Sequence, residues 1–376
     1  MTRIGSRNVI STHPTLVTHV GTTFNYSNPI DELKKALVAE KHGVHVIADV
    51  TQGPRWREAL QLLRDNLEIP FTGLPGYYIA TQNGKSSLPC PLTKSHILEV
   101  TEETLSLGAT GITVHASFQQ RHVELLKSQG RAFPFTSRMG GLIWNYMEAT
   151  GEENPFLQCF PDLVALAKRY DAAISLGPAL RSPSVVNEGG IDDLFRTEID
   201  ASAPLVRMCQ EAGVSIILEG AGHILISKIP EWISYTKRIC HGVAMRALPM
   251  PTDRAMGHDH ISGAIAAAFM MAQGVEVIAI MTRAEHLGLP TIEDIKESVI
   301  TMQIALNAVH PNMELEEKVA LARSKGGCHL SDVMVNCIDP IGAEKAYWER
   351  ARGDTQLEEC TMCGFTCPIK KRLGRA

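Results

Sequence analysis

The sequence has no apolar run long enough to cross a bilayer, and residues 1–10 hold two arginines but no stretch of signal-peptide length. A cytoplasmic protein without a membrane partner is expected. A basic excess is also missing: Lys and Arg number 36 against 41 Asp and Glu, for a net charge of -5. Without a positive field to neutralise phosphate backbones, nucleic acid is not an expected partner. Cysteines are too sparse for a disulfide framework, nine in 376 residues. In a cytoplasmic chain they stay reduced, which makes any cluster of them a metal or redox candidate. Fixed-period repeats and low-complexity tracts are absent too.

What is present is ordinary globular material, 44% hydrophobic and 20% charged. The length exceeds that at which a single core usually stops growing, so one large barrel with appended segments, or about two to three domains, is expected. Short β-branched segments at residues 44–50, 71–74, 111–115, 133–137, 172–176, 214–218, 243–248 and 275–281 alternate with stretches of helical periodicity such as 161–170 and 261–273. That is the pattern of a parallel sheet with crossover helices.

An open doubly wound sheet and a closed (β/α)8 barrel both satisfy the alternation, and the polar residues arbitrate. Asp49, His115, Ser137 with Arg138, Arg181, Glu219 with His223, and Glu285 with His286 each fall at or just after the C-terminal end of a candidate strand. In a barrel those ends converge on one mouth, where barrel enzymes build their sites. A dinucleotide-binding sheet would instead open its first helix on a glycine fingerprint, whereas the turn after Asp49 reads Thr51-Gln52-Gly53-Pro54. The expected fold is an α/β (β/α)8 barrel over residues 31–309. A short N-terminal segment, 1–30, and a C-terminal helical and cluster-binding segment, 310–376, lie outside it.

Cys360, Cys363 and Cys367 stand in a C-x2-C-x3-C run that lets three thiolates face one inorganic centre. Iron–sulfur clusters are usually held by about four thiolates, so three point to a cluster with one iron open to a substrate or cofactor. Spacing alone leaves open a zinc knuckle completed by Cys328, His329 or Cys337, or a disulfide. Glu219-Gly220-Ala221-Gly222-His223 and Glu285-His286 offer two imidazoles at strand ends, able to share a divalent ion while leaving positions vacant. Hydrogen-bonded wall histidines are the plainer alternative. Ser137-Arg138-Met139-Gly140-Gly141 combines a hydroxyl, a guanidinium and flexible N–H groups, which suits a phosphate, and Arg181 is similar. Residues 253–260, Asp-Arg-Ala-Met-Gly-His-Asp-His, are either a further donor cluster or a solvated loop.

Taken in order, residues 43–49, 69–78, 111–115, 137–141, 152–157, 175–181, 219–223, 257–262 and 285–290, with the terminal cysteines, resemble the thiamine pyrimidine synthase family, ThiC. The resemblance covers most of the chain, residues 16–368. Members are radical S-adenosylmethionine enzymes with a (β/α)8 barrel that rearrange 5-aminoimidazole ribotide. The resemblance implies a 4Fe-4S cluster on Cys360, Cys363 and Cys367, with S-adenosylmethionine as its partner. It implies a divalent metal, Zn or Fe, on His223 and His286. Contacts to a ribonucleotide substrate would come from Tyr77, His115, Ser137, Arg138, Arg181 and Glu219, with Glu219 as acid or base and His115 as proton partner. A flavodoxin- or ferredoxin-like electron donor and a homodimer exchanging its C-terminal segments are implied as well. The product would be a pyrimidine phosphate for thiamine or, for a paralogue, 5-hydroxybenzimidazole, the lower-ligand base of cobalamin.

The departures from the family are local. Its cluster motif has one more residue between the second and third cysteines. Its Asp-Gly-Leu-Arg-Pro-Gly is Pro178-Ala179-Leu180-Arg181-Ser182-Pro183 here, which loses a carboxylate. An Asn-rich strand near the N-terminus reads His19-Val20-Gly21-Thr22-Thr23-Phe24-Asn25, and Ala221 replaces a proline. Most of these changes sit where a substrate would be read, which implies the same radical initiation on an altered substrate or toward a different product. A zinc-dependent barrel hydrolase using His223 and His286, and a catalytically silent paralogue, are the alternatives.

Overall fold

The computed structural model describes residues 13–23, 26–81, 92–128, 131, 133–324, 333–350, 362, 363, 366 and 368. Its strands are β1 (Thr15–Val20), β2 (Val46–Asp49), β3 (Phe71–Thr72), β4 (Gly111–Val114), β5 (Ala173–Leu176), β6 (Ile216–Glu219), β7 (Ala244–Ala247) and β8 (Val277–Ala279). They form one eight-stranded sheet in the order β3-β2-β1-β8-β7-β6-β5-β4. Every pairing is parallel. The free edges of β3 and β4 meet through Gly73, whose N donates to Gly111 O at 3.0 Å and whose O accepts from Thr113 N at 2.9 Å. The expected (β/α)8 barrel is the observed fold.

One expected strand is not in it. Residues 133–137 form irregular chain: Pro134 has no N–H to give a ladder, and Ser137 turns to cap the helix Arg138–Thr150, its Oγ accepting from Gly140 N at 3.1 Å. The eighth stave is β1, inside the segment 1–30 that the sequence reading left outside the barrel. It lies between β2 and β8. Its Thr15, Thr18 and His19 interrupt the apolar run by which a buried parallel strand is recognised, and the two threonines are buried.

Helices cover the outside by burying one stripe each. The helix Trp56–Asn66 buries Trp56, Ala59, Leu60 and Leu63, and Phe160–Arg169 buries Phe160, Leu163, Val164 and Ala167. In the lumen, Val17, Val46, Ala173, Ile217 and Val277 pack together. Side chains alternate along a strand, so residues two positions on share that inner face: His19 follows Val17, Ser175 follows Ala173 and Glu219 follows Ile217. The lumen thus turns from apolar to polar toward the C-terminal ends. Glu219 and Arg246 are Cα partners in the β6–β7 register, so they stand side by side there.

The chain divides into two compact units, Met1–Ala305 and Leu306–Ala376. In the second, the helix Met313–Ser324 buries Ala322 alone, and Pro340–Arg350 buries no residue. Leu321, Ile341 and Trp348 are exposed. Among the described residues no helix is long and apolar enough to cross a membrane.

Candidate active site

At the C-terminal mouth of the barrel lies a cavity of about 780 Å³, and its walls bring together Tyr77, His115, Ser137, Arg138, Arg181, Glu219, His223 and His286. These are all the barrel residues singled out in the sequence for substrate or metal. They arrive from separate elements: Tyr77 from the helix Pro75–Thr81 after β3, His115 just past β4, Arg181 from the loop after β5. Of the cluster cysteines, Cys363 is exposed and free, and Thr366 N donates to its carbonyl at 3.0 Å. Cys360 and Cys367 lie outside the described residues, as do Cys328 and His329.

The floor is a run of hydrogen bonds across the strands. Glu219 Oε1 accepts from Ser175 Oγ at 2.8 Å and from Arg246 Nη1 at 2.7 Å, and Arg246 Nη2 meets His19 Nε2 at 2.7 Å. The Arg246 and Glu219 side chains are only 6% and 9% exposed. Burial alone would raise the Glu219 carboxyl, but Arg246, His115, Arg181 and the Ser175 hydroxyl outweigh it and bring it down to about 2. Glu219 is therefore held as a carboxylate at neutral pH. Burial, with Arg181 nearby, lowers His115 to about 4, so its imidazole is neutral. His115 Nδ1 is buried and, among the described residues, without a partner.

One side wall carries cations. Arg138 opens the helix that Ser137 caps, and its guanidinium lies 5.2 Å over the Tyr77 ring. That helix N-terminus and Arg181 both face the cavity, an arrangement suited to an anionic group. Arg181 Nε is buried and has no partner among the described residues. Its loop is gripped from behind: buried Glu198 accepts from Ala179 N at 2.8 Å, Leu180 N at 2.5 Å and Ser117 Oγ at 2.9 Å. Arg131, paired bidentately with Asp192, donates to Leu180 O at 2.8 Å.

The rim holds two histidines. The loop after β6 pairs with the loop after β7, Ile224 N donating to Met250 O and Met250 N to Gly222 O, both at 3.1 Å. This fixes His223 beside Asp253, Nδ1 to Oδ1 at 2.7 Å. Two glycines make room. A Cβ on Gly220 would come within 1.9 Å of the Trp232 ring, and Gly190, at φ +101°, would place one 2.0 Å from His223 O. His286 meets Asp259 Oδ1 through Nδ1 at 3.1 Å, and the two imidazole centroids are 5.4 Å apart. Holding Nδ1 against a carboxylate leaves Nε2 as the ligating nitrogen, the usual support of a metal-bound histidine. Among the described residues no group of three or more His, Cys, Asp or Glu could hold an ion. The pair fits a divalent ion that takes further ligands from elsewhere.

Arg246 belongs to no motif in the sequence, and Asp253 and Asp259 lie in the stretch 253–260, which reads equally as donors or as solvated loop. A lone arginine inside a candidate buried strand, residues 243–248, was the signal for the first. The roles of the aspartates depend on which histidines the fold brings to them.

Residues 10–372 match the family described as radical SAM ThiC. The phosphomethylpyrimidine synthases of Thermoanaerobacter pseudethanolicus and Pyrococcus furiosus are each 32% identical to this chain, over 94% of it and 82% of their own length. That of Ignicoccus hospitalis is 30% identical over 93% of this chain and 80% of its own. Among solved structures, the 7,8-dihydropteroate synthase from Vibrio fischeri ES114 aligns with 83% of this chain and 99% of its own at TM-score 0.48 and 12% identity.

Proposed function

The chain belongs to the radical SAM ThiC family, and from that premise we propose that it rearranges 5-aminoimidazole ribotide, or a related ribonucleotide, to a pyrimidine phosphate as a carbon-skeleton-rearranging synthase or lyase. Membership makes it an enzyme of ThiC type, using a 4Fe-4S cluster and S-adenosylmethionine for thiamine pyrimidine synthesis. One observation carries the finer reading: the eight barrel residues expected from the sequence line a single cavity.

Cys360, Cys363 and Cys367 would hold the cluster, which when loaded supplies the electron that cleaves S-adenosylmethionine. His223 and His286 would hold a divalent ion, Zn or Fe, through Nε2. Arg138, Arg181 and the N–H groups behind Ser137 bind the phosphate. Glu219, ionised, orients the base and balances developing positive charge, while neutral His115 accepts or relays a proton. The apolar wall of Leu74, Leu248 and Met281 excludes water. A flavodoxin- or ferredoxin-like donor and a homodimer belong to the same reading.

A benzimidazole product is the second reading, favoured by the changed side chains at Pro178–Pro183 beside Arg181. Anaerobic reconstitution followed by an assay for 5′-deoxyadenosine, with and without the ribotide, tests both. Formation that depends on the ribotide and is abolished by Cys360→Ala, Cys363→Ala or Cys367→Ala is expected, and mass analysis of the product separates pyrimidine from benzimidazole. A colourless protein holding zinc without iron or sulfide would favour a hydrolase instead. A cluster that never cleaves S-adenosylmethionine would mark a silent paralogue.

A further inference from the structure

Arg246 commits its guanidinium to two neighbours, Nη1 to Glu219 Oε1 and Nη2 to His19 Nε2, each at 2.7 Å. A guanidinium has only N–H donors and stays charged. The His19 nitrogen that faces it must therefore be the unprotonated acceptor, and the single ring proton sits on Nδ1. A second proton would set two donors against each other beside a cation, in a buried place. Burial, with Arg246, accordingly holds the His19 imidazole down at about 3. His19 lines the cavity, and among the described residues no hydrogen bond reaches its Nδ1. Beside it, both hydrogen bonds to Glu219 fall on Oε1, leaving Oε2 available to a ligand.

We propose that His19 is a specificity-determining residue that presents a fixed Nδ1–H to the ligand, and that Arg246 is the positioning residue that fixes this tautomer. An amide side chain in this place could rotate to offer either an oxygen or an NH2. The locked imidazole offers a donor only, so it selects an acceptor, a carbonyl oxygen or an unprotonated ring nitrogen. With the Glu219 carboxylate beside it, the floor matches a heterocycle that carries both an unprotonated ring nitrogen and an exocyclic amino group. The ligand class rests on the proposed ribonucleotide reading; the tautomer does not.

The full-length chain labelled with 15N-histidine, studied by two-bond proton–nitrogen correlation at neutral pH, decides the matter. His19 is assigned by its loss in His19→Leu. The free protein is expected to show the Nδ1–H tautomer, with the His19 nitrogens shifting when 5-aminoimidazole ribotide is added. By calorimetry, His19→Leu is expected to weaken ribotide binding by about tenfold, the worth of one hydrogen bond, and His19→Asn to recover part of it. Arg246→Met releases the tautomer to the commoner Nε2–H form. If that variant does not fold, Arg246→Met with Glu219→Gln removes the stranded anion and gives the same readout. An Nε2–H or doubly protonated His19 in the wild type overturns the proposal. So does ribotide binding that leaves the His19 signals unmoved, or His19→Leu binding as tightly as wild type. Failure of the wild type to bind the ribotide sinks the substrate reading instead, and the tautomer still decides whether the floor offers a fixed N–H.

Discussion

The floor and the rim of the cavity are built from the same kinds of side chain to opposite ends. At the floor, Ser175, Glu219, Arg246 and His19 bond to one another in sequence, so the fold pairs the buried charges and leaves only His19 Nδ1 and Glu219 Oε2 for a ligand. At the rim, His223 and His286 each spend one nitrogen on a carboxylate, Asp253 and Asp259, and keep the other. Among the described residues nothing finishes that arrangement. Pairing the buried charges of the floor steadies the barrel around them, whereas the two imidazoles of the rim each keep a nitrogen for a ligand. On that contrast, loss of a floor residue is expected to cost stability, and loss of a rim residue to cost ligand binding.

Three experiments can break or sharpen the contrast. The largest effect is expected from Arg246→Met, which leaves the Glu219 carboxylate buried and unpaired and costs about 3–5 kcal/mol of stability, read by urea denaturation. Adding Glu219→Leu should return most of it. His286→Ala, at the rim, should stay within about 0.5 kcal/mol of wild type; equal costs at the two places would erase the distinction. Next comes acid. His115 and His19 sit at about 4 and about 3 against 6.5 in the unfolded chain. Their contribution is therefore full above pH 6.5 and is lost as pH falls through that value toward the folded ones. Glu219, at about 2 against 4.5, adds its loss below pH 4.5. Asp49, raised to about 6 by burial, runs the other way and costs stability as pH rises from 3.8 through 6. Thermal melts should show Tm falling below pH 6.5 in wild type, and falling more steeply in Asp49→Asn, which removes the opposing group. The smallest effect belongs to the rim. Asp259→Asn should weaken divalent-metal binding by about 10–100-fold with the melting curve almost unchanged, measured by competition against a chelator.

Much of this was legible in the sequence because barrel geometry converts a linear regularity into a place. A polar residue just after each β-branched run becomes a polar residue at the mouth, which is how His115, Arg181, Glu219 and His223 came to share one cavity; Tyr77 followed from the family resemblance alone. The misreadings have the same physical root. β1 escaped because its inner face carries His19 for the floor instead of another aliphatic residue, and residues 133–137 passed as a strand because aromatic and β-branched composition outweighed Pro134. Arg246 could be flagged only as an oddity in a buried strand. That it answers Glu219 follows from the β6–β7 register, and that it answers His19 follows from ring closure, neither of which a linear pattern contains. The tautomer of His19 is further removed still, since it depends on which neighbour donates.

The hold that Glu198 keeps on the loop after β5 bears on how this chain came to differ from its relatives. It takes two main-chain N–H groups, those of Ala179 and Leu180, and Arg131 takes a main-chain carbonyl. A clamp that holds the backbone places Arg181 without calling on the loop's own side chains, while Ala179, Leu180 and Ser182 are buried behind it. Even a proline is admitted at 178, where no N–H is demanded. The loop is a mount with one fitting: of residues 178–183 Arg181 alone lines the cavity, and the anchor behind it keeps that side chain in place.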